Sequence, residues 1–512
     1  MTRLKYVVVL ALGYSALILA MTYPLVLHLG THVAHDLGDP ILSTLILWWN
    51  AHRLPLTKAW WDGWFFWPAS GVLALSDHRL GESLLASPLQ WIGVGPIAAY
   101  NVALLVTFPA CALAAHWMAF TLTRRHDAAL IAGLVYGFNP YRFAHIEHLE
   151  LLAAFGMPVA LGALHEYLEH RRTGWLVVFG AALFFQALLC SYYFLFFSVM
   201  LALWIIWFLR KDDGRAVIGI VVAGTVVLAL ISPISLEYFS IHKRYGLVRG
   251  LGDIVELSAD VTSAVTAGPL SALWRWTSPL NGGERQLFPG ATILTLVAVV
   301  AVISLISRRG ARRMTRGSVV LIALGAVFAF TALSVSYRGP WRIGPLSVGT
   351  FYKPFSLAFY CWLAAFLFSA PVRNAYSRRS TFAFYVLCAS ALFLFSLGPR
   401  AAFLNHQFLY ESPYSWLMRI SVFRDSVRVP ARFWMLAILA LSGAAAIAWT
   451  RLVSNRSVVN TSLVAVAIVA DSWISGLPLL PPPSPWPGTL PTTNVQAVLA
   501  LPLGDTMRDV AA

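Results

Sequence analysis

The sequence predicts an all-α fold: a polytopic membrane helical bundle of about thirteen transmembrane helices, with interfacial helices in its first outside loop. Three observations carry this prediction. Hydrophobic residues make up 59% of the 512 residues and charged residues only 12%, against about 25% charge in a soluble chain. Such a chain cannot cover itself with polar groups, so lipid is part of its solvent. Apolar runs long enough to cross about 30 Å of hydrocarbon, about 17–25 helical residues each, recur along the whole chain. The basic excess, a net charge of +15, sits mostly in short segments between those runs, where it orients helices.

The first run follows Arg3 and Lys5 and extends from Tyr6 to about Leu29. It is too long for a signal-peptide core and lacks a small-residue cleavage site, so it reads as an uncleaved first span centred near Leu17. The other centres are Cys111, Val135, Val159, Phe184, Leu201, Leu228, Ala298, Ala326, Leu363, Ala389, Leu439 and Ile468. With Arg3 and Lys5 in the cytoplasm, the short connections on that side hold Arg124/Arg125, Arg171/Arg172, Arg210/Lys211/Arg215, Arg308/Arg309/Arg312/Arg313/Arg316, Arg373/Arg378/Arg379 and Arg451/Arg456. They carry few acids, as the positive-inside rule requires. The arginine run at 308–316 lies between two spans and reads as topogenic and headgroup-binding, which argues against a nucleic-acid partner.

The bundle is expected over 1–477, with outside loops at 30–98, 237–288, 337–353 and 398–431 and an outside tail at 478–512. Long, varied loops usually carry function. In the first loop, Pro40 opens a stretch from Ile41 to Leu54 that places Ile41, Leu45, Trp48 and Trp49 on one side at helical spacing. Trp60, Trp61, Trp64, Phe65, Phe66 and Trp67 follow, a density that suits the membrane interface. In the tail, Leu480 to Gly488 is a Pro-rich exit from the last span, and about 25 residues remain, too few for an independent domain. The tail therefore reads as a shortened C-terminal domain. The four cysteines, Cys111, Cys190, Cys361 and Cys388, lie in apolar runs and show neither metal-ligand nor disulfide spacing. No internal repeat is evident, which weighs against a transporter of duplicated halves.

Chemistry is expected in the outside loops. His35-Asp36-Leu37-Gly38-Asp39-Pro40 sets two carboxylates on a Gly/Pro-shaped turn, where they could activate a hydroxyl or hold a divalent cation; Asp39 also stands where an N-cap would stand. Arg142, His145, Glu147, His148 and Glu150 form a second group, in which His145 and His148 could share a helix face. A third group is cationic: Lys353, Arg424, Arg428 and Arg432, with Pro430 making the last spacing a bend. Cations at headgroup depth stabilise a phosphate leaving group or simply bind headgroups. Asp471, inside the last run, is a further candidate. No Walker loop, dinucleotide-type glycine motif or Asp-X-Asp triplet occurs.

Gly38-Asp39-Pro40, Gly95-Pro96 with Tyr100-Asn101, Ala132-Gly133-Leu134-Val135-Tyr136-Gly137-Phe138, and Pro140-Tyr141-Arg142-Phe143-Ala144-His145-Ile146-Glu147-His148-Leu149 together resemble the GT-C superfamily of polytopic glycosyltransferases, which use lipid-phosphate sugars. Shorter likenesses recur at Leu287-Phe288-Pro289-Gly290 and Arg428-Val429-Pro430-Ala431-Arg432-Phe433. The tandem Asp-Glu pair of several members is absent, as is their outside C-terminal domain. The resemblance implies a bacterial inner-membrane enzyme, N-terminus cytoplasmic and C-terminus outside, that moves a hexose or pentose from a polyprenyl-phosphate donor to a hydroxyl of a saccharide, lipid or protein acceptor, with inversion. Asp39, and second Asp36, then serves as base or as ligand of a divalent cation such as Mg²⁺ or Mn²⁺. Arg142, His145, His148, Lys353, Arg424, Arg428 and Arg432 would bind substrate. Two alternatives remain open on the residues alone: a transporter or flippase of lipid-linked saccharide, and a non-catalytic membrane scaffold of the same fold.

Overall fold

A computed structural model describes residues 3–63, 65–66, 68–306, 315–343, 346–454 and 457–483. The expectations for Trp64, Trp67, Arg308, Arg309, Arg312, Arg313, Arg456 and the tail beyond 483 lie outside these residues. The described chain is mostly helical, because in lipid every backbone N–H and C=O must be bonded within its own segment or a closed barrel. Six helices are long and apolar enough to cross a membrane: Pro96–Thr123, Leu149–His170, Ser191–Phe208, Gly214–Arg244, Arg316–Arg338 and Pro430–Leu452. Tyr352–Leu367 and Ala370–Ser377 make a seventh if joined, bent by 50°. Pro371, at the start of the second piece, cannot continue the first helix and marks the bend.

Five apolar helices are shorter: Lys5–Met21, Gly174–Leu189, Ala291–Ile306, Thr381–Ser396 and Val458–Ser472. His126–Gly137 has only 12 residues. Each expected centre falls within a different one of these helices. The all-α membrane bundle therefore stands, while helix length alone yields six or seven spans.

The Pro430–Leu452 helix runs through the middle, its apolar stretch almost entirely buried. Its small residues admit close neighbours: a Cβ on Gly443 would lie 3.2 Å from the Tyr385 ring of the Thr381–Ser396 helix. Gly214–Arg244 and Arg316–Arg338 are mostly unburied along their apolar stretches and turn apolar faces outward.

The connections gather at two ends. At the basic end Arg124 meets Glu169 at 2.7 Å, Arg125 meets the Val453 carbonyl at 2.7 Å, Arg171 meets Asp213 at 2.7 Å, and Arg379 Nη2 meets the Leu209 carbonyl at 3.2 Å. At the other end Asp39 meets His148 at 2.6 Å, Arg79 meets Glu150 at 2.7 Å, and the Leu404 N–H meets Asp260 at 3.1 Å. These contacts bring together segments expected on the same side.

At the second end the 30–98 loop folds into Asp39–His52 and Leu80–Trp91, joined by Asn50, whose amide donates to the His78 carbonyl and Ser83 Oγ at 2.8 Å each. Of the expected face of the first helix, Trp49 is buried while Ile41, Leu45 and Trp48 are half-buried, and Ser43, Ile46, Leu47 and Asn50 are buried as well. Val33–Ala34 pairs antiparallel with Leu479–Leu480, and the His35 N–H donates to the Pro478 carbonyl at 2.9 Å. The chain leaving the last helix is therefore tied to the segment that carries Asp36 and Asp39.

Candidate functional site

Asp39 opens the Asp39–His52 helix but does not cap it. Gly38 is the N-cap, and the turn is closed instead by Asp36, whose Oδ1 accepts the Gly38 N–H at 2.8 Å. The Asp39 side chain is thereby released to cross to another connection, where its Oδ2 lies 2.6 Å from His148 Nδ1. The other nitrogen of His148 lies 3.5 Å from Glu147 Oε1. Glu147 Oε2 in turn lies 3.7 Å from His35 Nδ1, which is 3.2 Å from Asp36 Oδ2. Acid and imidazole alternate along five residues, from Asp36 to Asp39.

The row borders a more buried set of charges. His145 Nε2 lies 3.5 Å from Glu284 Oε2, and Glu284 is clasped by Arg432, whose Nε reaches its two oxygens at 3.1 and 3.2 Å. Arg79 pairs with Glu150 at 2.7 Å, next to buried Glu82 and the Tyr100 hydroxyl, whose side-chain oxygens have no hydrogen-bond partner among the described residues. His35 and Arg79 hold left-handed backbone, with φ of 73° and 51°, a conformation that costs energy outside glycine and collects at functional sites.

Electrostatics follow from this arrangement. Burial opposes charge on His148, but the bond to Asp39 and the fields of Glu150 and Glu147 raise it to about 9, so it is an imidazolium at neutral pH. Burial also opposes charge on Glu284, yet Arg432 and His145 hold its carboxyl well below the usual range. Burial pushes Glu82 up to about 8 despite Arg79. The bond to Asp36 raises His35.

His145 and His148 do not share a helix face. The Pro140–Ala144 helix ends before them, and a turn sends the two rings to Glu284 and Asp39. A two-histidine metal site is therefore replaced by another donor set. His35, Asp36 and Glu147 each offer a ligand atom, all within 4.8 Å of one another. One imidazole and two carboxylates would suit Mn²⁺ better than Mg²⁺, which prefers oxygen alone.

The remaining expected residues go elsewhere. Arg142 is 1% exposed and turns into the bundle, donating to the Leu152 carbonyl at 2.9 Å and lying over the Phe108 ring at 4.6 Å. Arg424 pairs with its neighbour Asp425 at 2.8 Å. Arg428 is exposed, its N–H held by the Tyr192 hydroxyl at 3.2 Å. Lys353 lines a separate cavity. Asp471 accepts from Trp274 Nε1 at 2.9 Å and the Thr292 N–H at 2.7 Å, so it caps the Ala291–Ile306 helix. Cys111, Cys190 and Cys388 are buried free thiols and Cys361 is half-buried and free.

Glu284, Arg79 and Glu82 are the members that sequence reasoning missed. Glu284 stands in Gly282-Gly283-Glu284-Arg285, where Gly283 at φ 54° turns the chain. That acid-in-a-glycine-turn, just before Leu287-Phe288-Pro289-Gly290, was the available signal. Asp77, Arg79 and Glu82 were legible only as charges in an otherwise apolar stretch. No family model matches the chain, and no curated protein matches it either.

Proposed function

We propose that this chain is a membrane glycosyltransferase of the GT-C kind, moving a sugar from a polyprenyl-phosphate donor to an acceptor hydroxyl on the outer face, with inversion. One observation carries the reading: Asp39 is a carboxylate with one oxygen 2.6 Å from His148 Nδ1 and a side chain still 43% exposed at the edge of a buried charged cluster. A general base needs that combination of fixed orientation and access. The acceptor hydroxyl gives its proton to Asp39 as its oxygen bonds to the anomeric carbon. The bond from that carbon to the lipid phosphate breaks, and the phosphate leaves with the electron pair. Glu147 holds the far side of the His148 ring, and exposed Arg428 supplies positive charge to the departing phosphate. Arg432 is spent on Glu284 and shapes the wall. A divalent cation held by His35, Asp36 and Glu147 would supply Lewis-acid polarisation beside the base.

Helix length supports a lipid-borne donor. Helices of 12 to 16 residues, such as His126–Gly137, Gly174–Leu189 and Thr381–Ser396, rise only about 18–24 Å. That is short of the roughly 30 Å hydrocarbon core. With helices this short crossing the bilayer, the charged cluster would lie near the hydrocarbon boundary, within reach of a donor carried in the lipid. The finer topology belongs to the same proposal: thirteen spans in the plasma (inner) membrane, the basic end and N-terminus in the cytoplasm, the C-terminus outside, and interfacial helices in the first outside loop.

The deciding experiment reconstitutes the purified protein in liposomes with a panel of labelled polyprenyl-phosphate hexoses and pentoses. Transfer to saccharide, lipid or protein acceptors that disappears in Asp39→Asn supports the proposal. Transbilayer movement of donor without transfer assigns a flippase instead, and neither across the panel leaves a scaffold.

A further inference from the structure

A second cavity, of about 480 Å³, lies where the start of the Tyr352–Leu367 helix meets the 399–418 segment. Its volume is within the roughly 300–1,000 Å³ of small-molecule sites. Tyr352, Lys353, Arg400, Gln407, Tyr410 and Glu411 are among its walls. None of them belongs to the Asp39–His148 cluster.

The walls are built rather than incidental. The Tyr410 N–H donates to buried Ser356 Oγ at 2.8 Å, Tyr360 Oη donates to the Glu411 carbonyl at 2.8 Å, and Ser415 Oγ donates to the Pro399 carbonyl at 3.1 Å. The adjoining hairpin of Ala402–Phe403 and His406–Gln407 is pinned by Asp260, which accepts the Leu404 and Asn405 N–H groups at 3.1 and 2.8 Å. A ligand would find its site already formed.

The charges in the cavity do not cancel. Lys353 Nζ stands 5.0 Å over the Tyr410 ring. Neither Lys353 nor Arg400 has a carboxylate partner among the described residues, and Glu411 lies 3.9 Å from Arg419 instead. Two cations thus face the opening beside two tyrosine faces, Tyr352 and Tyr410, 37% and 50% exposed. Gln407 donates to the Leu409 carbonyl at 2.6 Å, which fixes the amide and leaves its oxygen for a hydroxyl. Aromatic faces, a fixed amide and hydroxyls suit a sugar ring; paired cations suit an acid on it. Aliphatic lining is sparse, so a lipid tail has little to bind.

We propose that this cavity is a binding site for an acidic saccharide, one bearing a carboxylate or a phosphate, taken from the aqueous side. It goes beyond the transfer reading and does not depend on it, because binding is measured without donor.

The test titrates the full protein, in nanodiscs of neutral lipid, with an oligogalacturonate trisaccharide and with a neutral trisaccharide of the same size. The acidic probe is expected to bind at least ten-fold more tightly. Lys353→Ala and Arg400→Ala should each weaken it about ten-fold or more, while Lys353→Arg retains binding. Both side chains are exposed, so an unchanged unfolding midpoint in each variant shows that the fold survives. Equal affinity for the two probes, no binding by the folded wild type, or binding indifferent to both substitutions overturns the proposal. So does loss of the acidic probe on changing to anionic nanodiscs at constant ionic strength, which would assign the cavity to lipid headgroups.

Discussion

The Asp39 carboxylate and the His148 imidazole meet at 2.6 Å, although they belong to different connections of the bundle. The contact orients a base without burying it. Asp39→Asn keeps the shape of the side chain and removes the basic oxygen. Transfer should fall by about 10²–10⁴, the usual worth of general-base help. The unfolding midpoint should barely move. Wild-type turnover in both Asp39→Asn and Asp36→Asn would remove the assignment of the base.

His148 gives this end of the molecule a pH dependence. It is raised from the ordinary 6.5 to about 9, so the native state holds its proton more tightly than the unfolded chain. The resulting stabilisation is fully present below pH 6.5 and is lost as pH rises toward 9. The apparent melting temperature should fall across that window in the wild type and fall less in His148→Asn. Equal slopes for the two proteins would show that the pair carries no such linkage.

Much of the fold was legible because lipid permits few solutions. Every expected centre lies in a helix of its own, and among the described residues the connections at Arg124/Arg125, Arg171 and Arg379 meet neighbouring connections of the same basic end. Span length was harder to read, since the apolar run around Val135 breaks at Phe138-Asn139 and the chain re-enters a separate short helix, Pro140–Ala144. The site was legible where charge interrupts apolar sequence, as at Asp39 and His148. Side-chain direction was not. Arg142 and His145 lie three residues apart, yet one turns to Phe108 and Leu152 and the other to Glu284. Which side of a turn a residue leaves from depends on contacts far away in sequence.

Glu82 tests the buried side of the cluster. Both its carboxyl oxygens are buried with no hydrogen-bond partner among the described residues, and burial raises its pKa from 4.5 to about 8. A raised carboxyl is protonated longer in the native state, so stability drops as pH climbs from 4.5 through 8. Glu82→Gln removes that titration at nearly constant shape. The variant should melt higher than wild type at pH 9 and similarly to it at pH 5. A lower midpoint at pH 9 would mean that ionised Glu82 is stabilised by something other than Arg79.

Arg142 should behave as a packing residue rather than a ligand. Its guanidinium lies over Phe108 and donates to the Leu152 carbonyl. Arg142→Ala leaves that carbonyl without its donor, at a cost of about 1–3 kcal/mol. Thermal stability should fall, and affinity for donor in the remaining folded protein should stay as it was. A specific loss of donor affinity at full stability would return Arg142 to the binding surface.

Glu284 and Arg432 bear the heaviest charge burden, because their side chains are only 14% and 9% exposed. Removing one partner leaves the other uncompensated and costs about 3–5 kcal/mol, whereas replacing both with neutral groups can be nearly free. Arg432→Met should therefore destabilise strongly. Glu284→Gln should also destabilise, because it leaves the buried Arg432 guanidinium without its carboxylate. The double variant Glu284→Gln/Arg432→Met should recover much of the lost stability, with a coupling of about 0.5–3 kcal/mol. Transfer separates the two roles of the pair. If the pair only holds the wall, the double variant regains turnover along with its melting temperature. If Arg432 itself stabilises the leaving phosphate, stability returns and turnover does not.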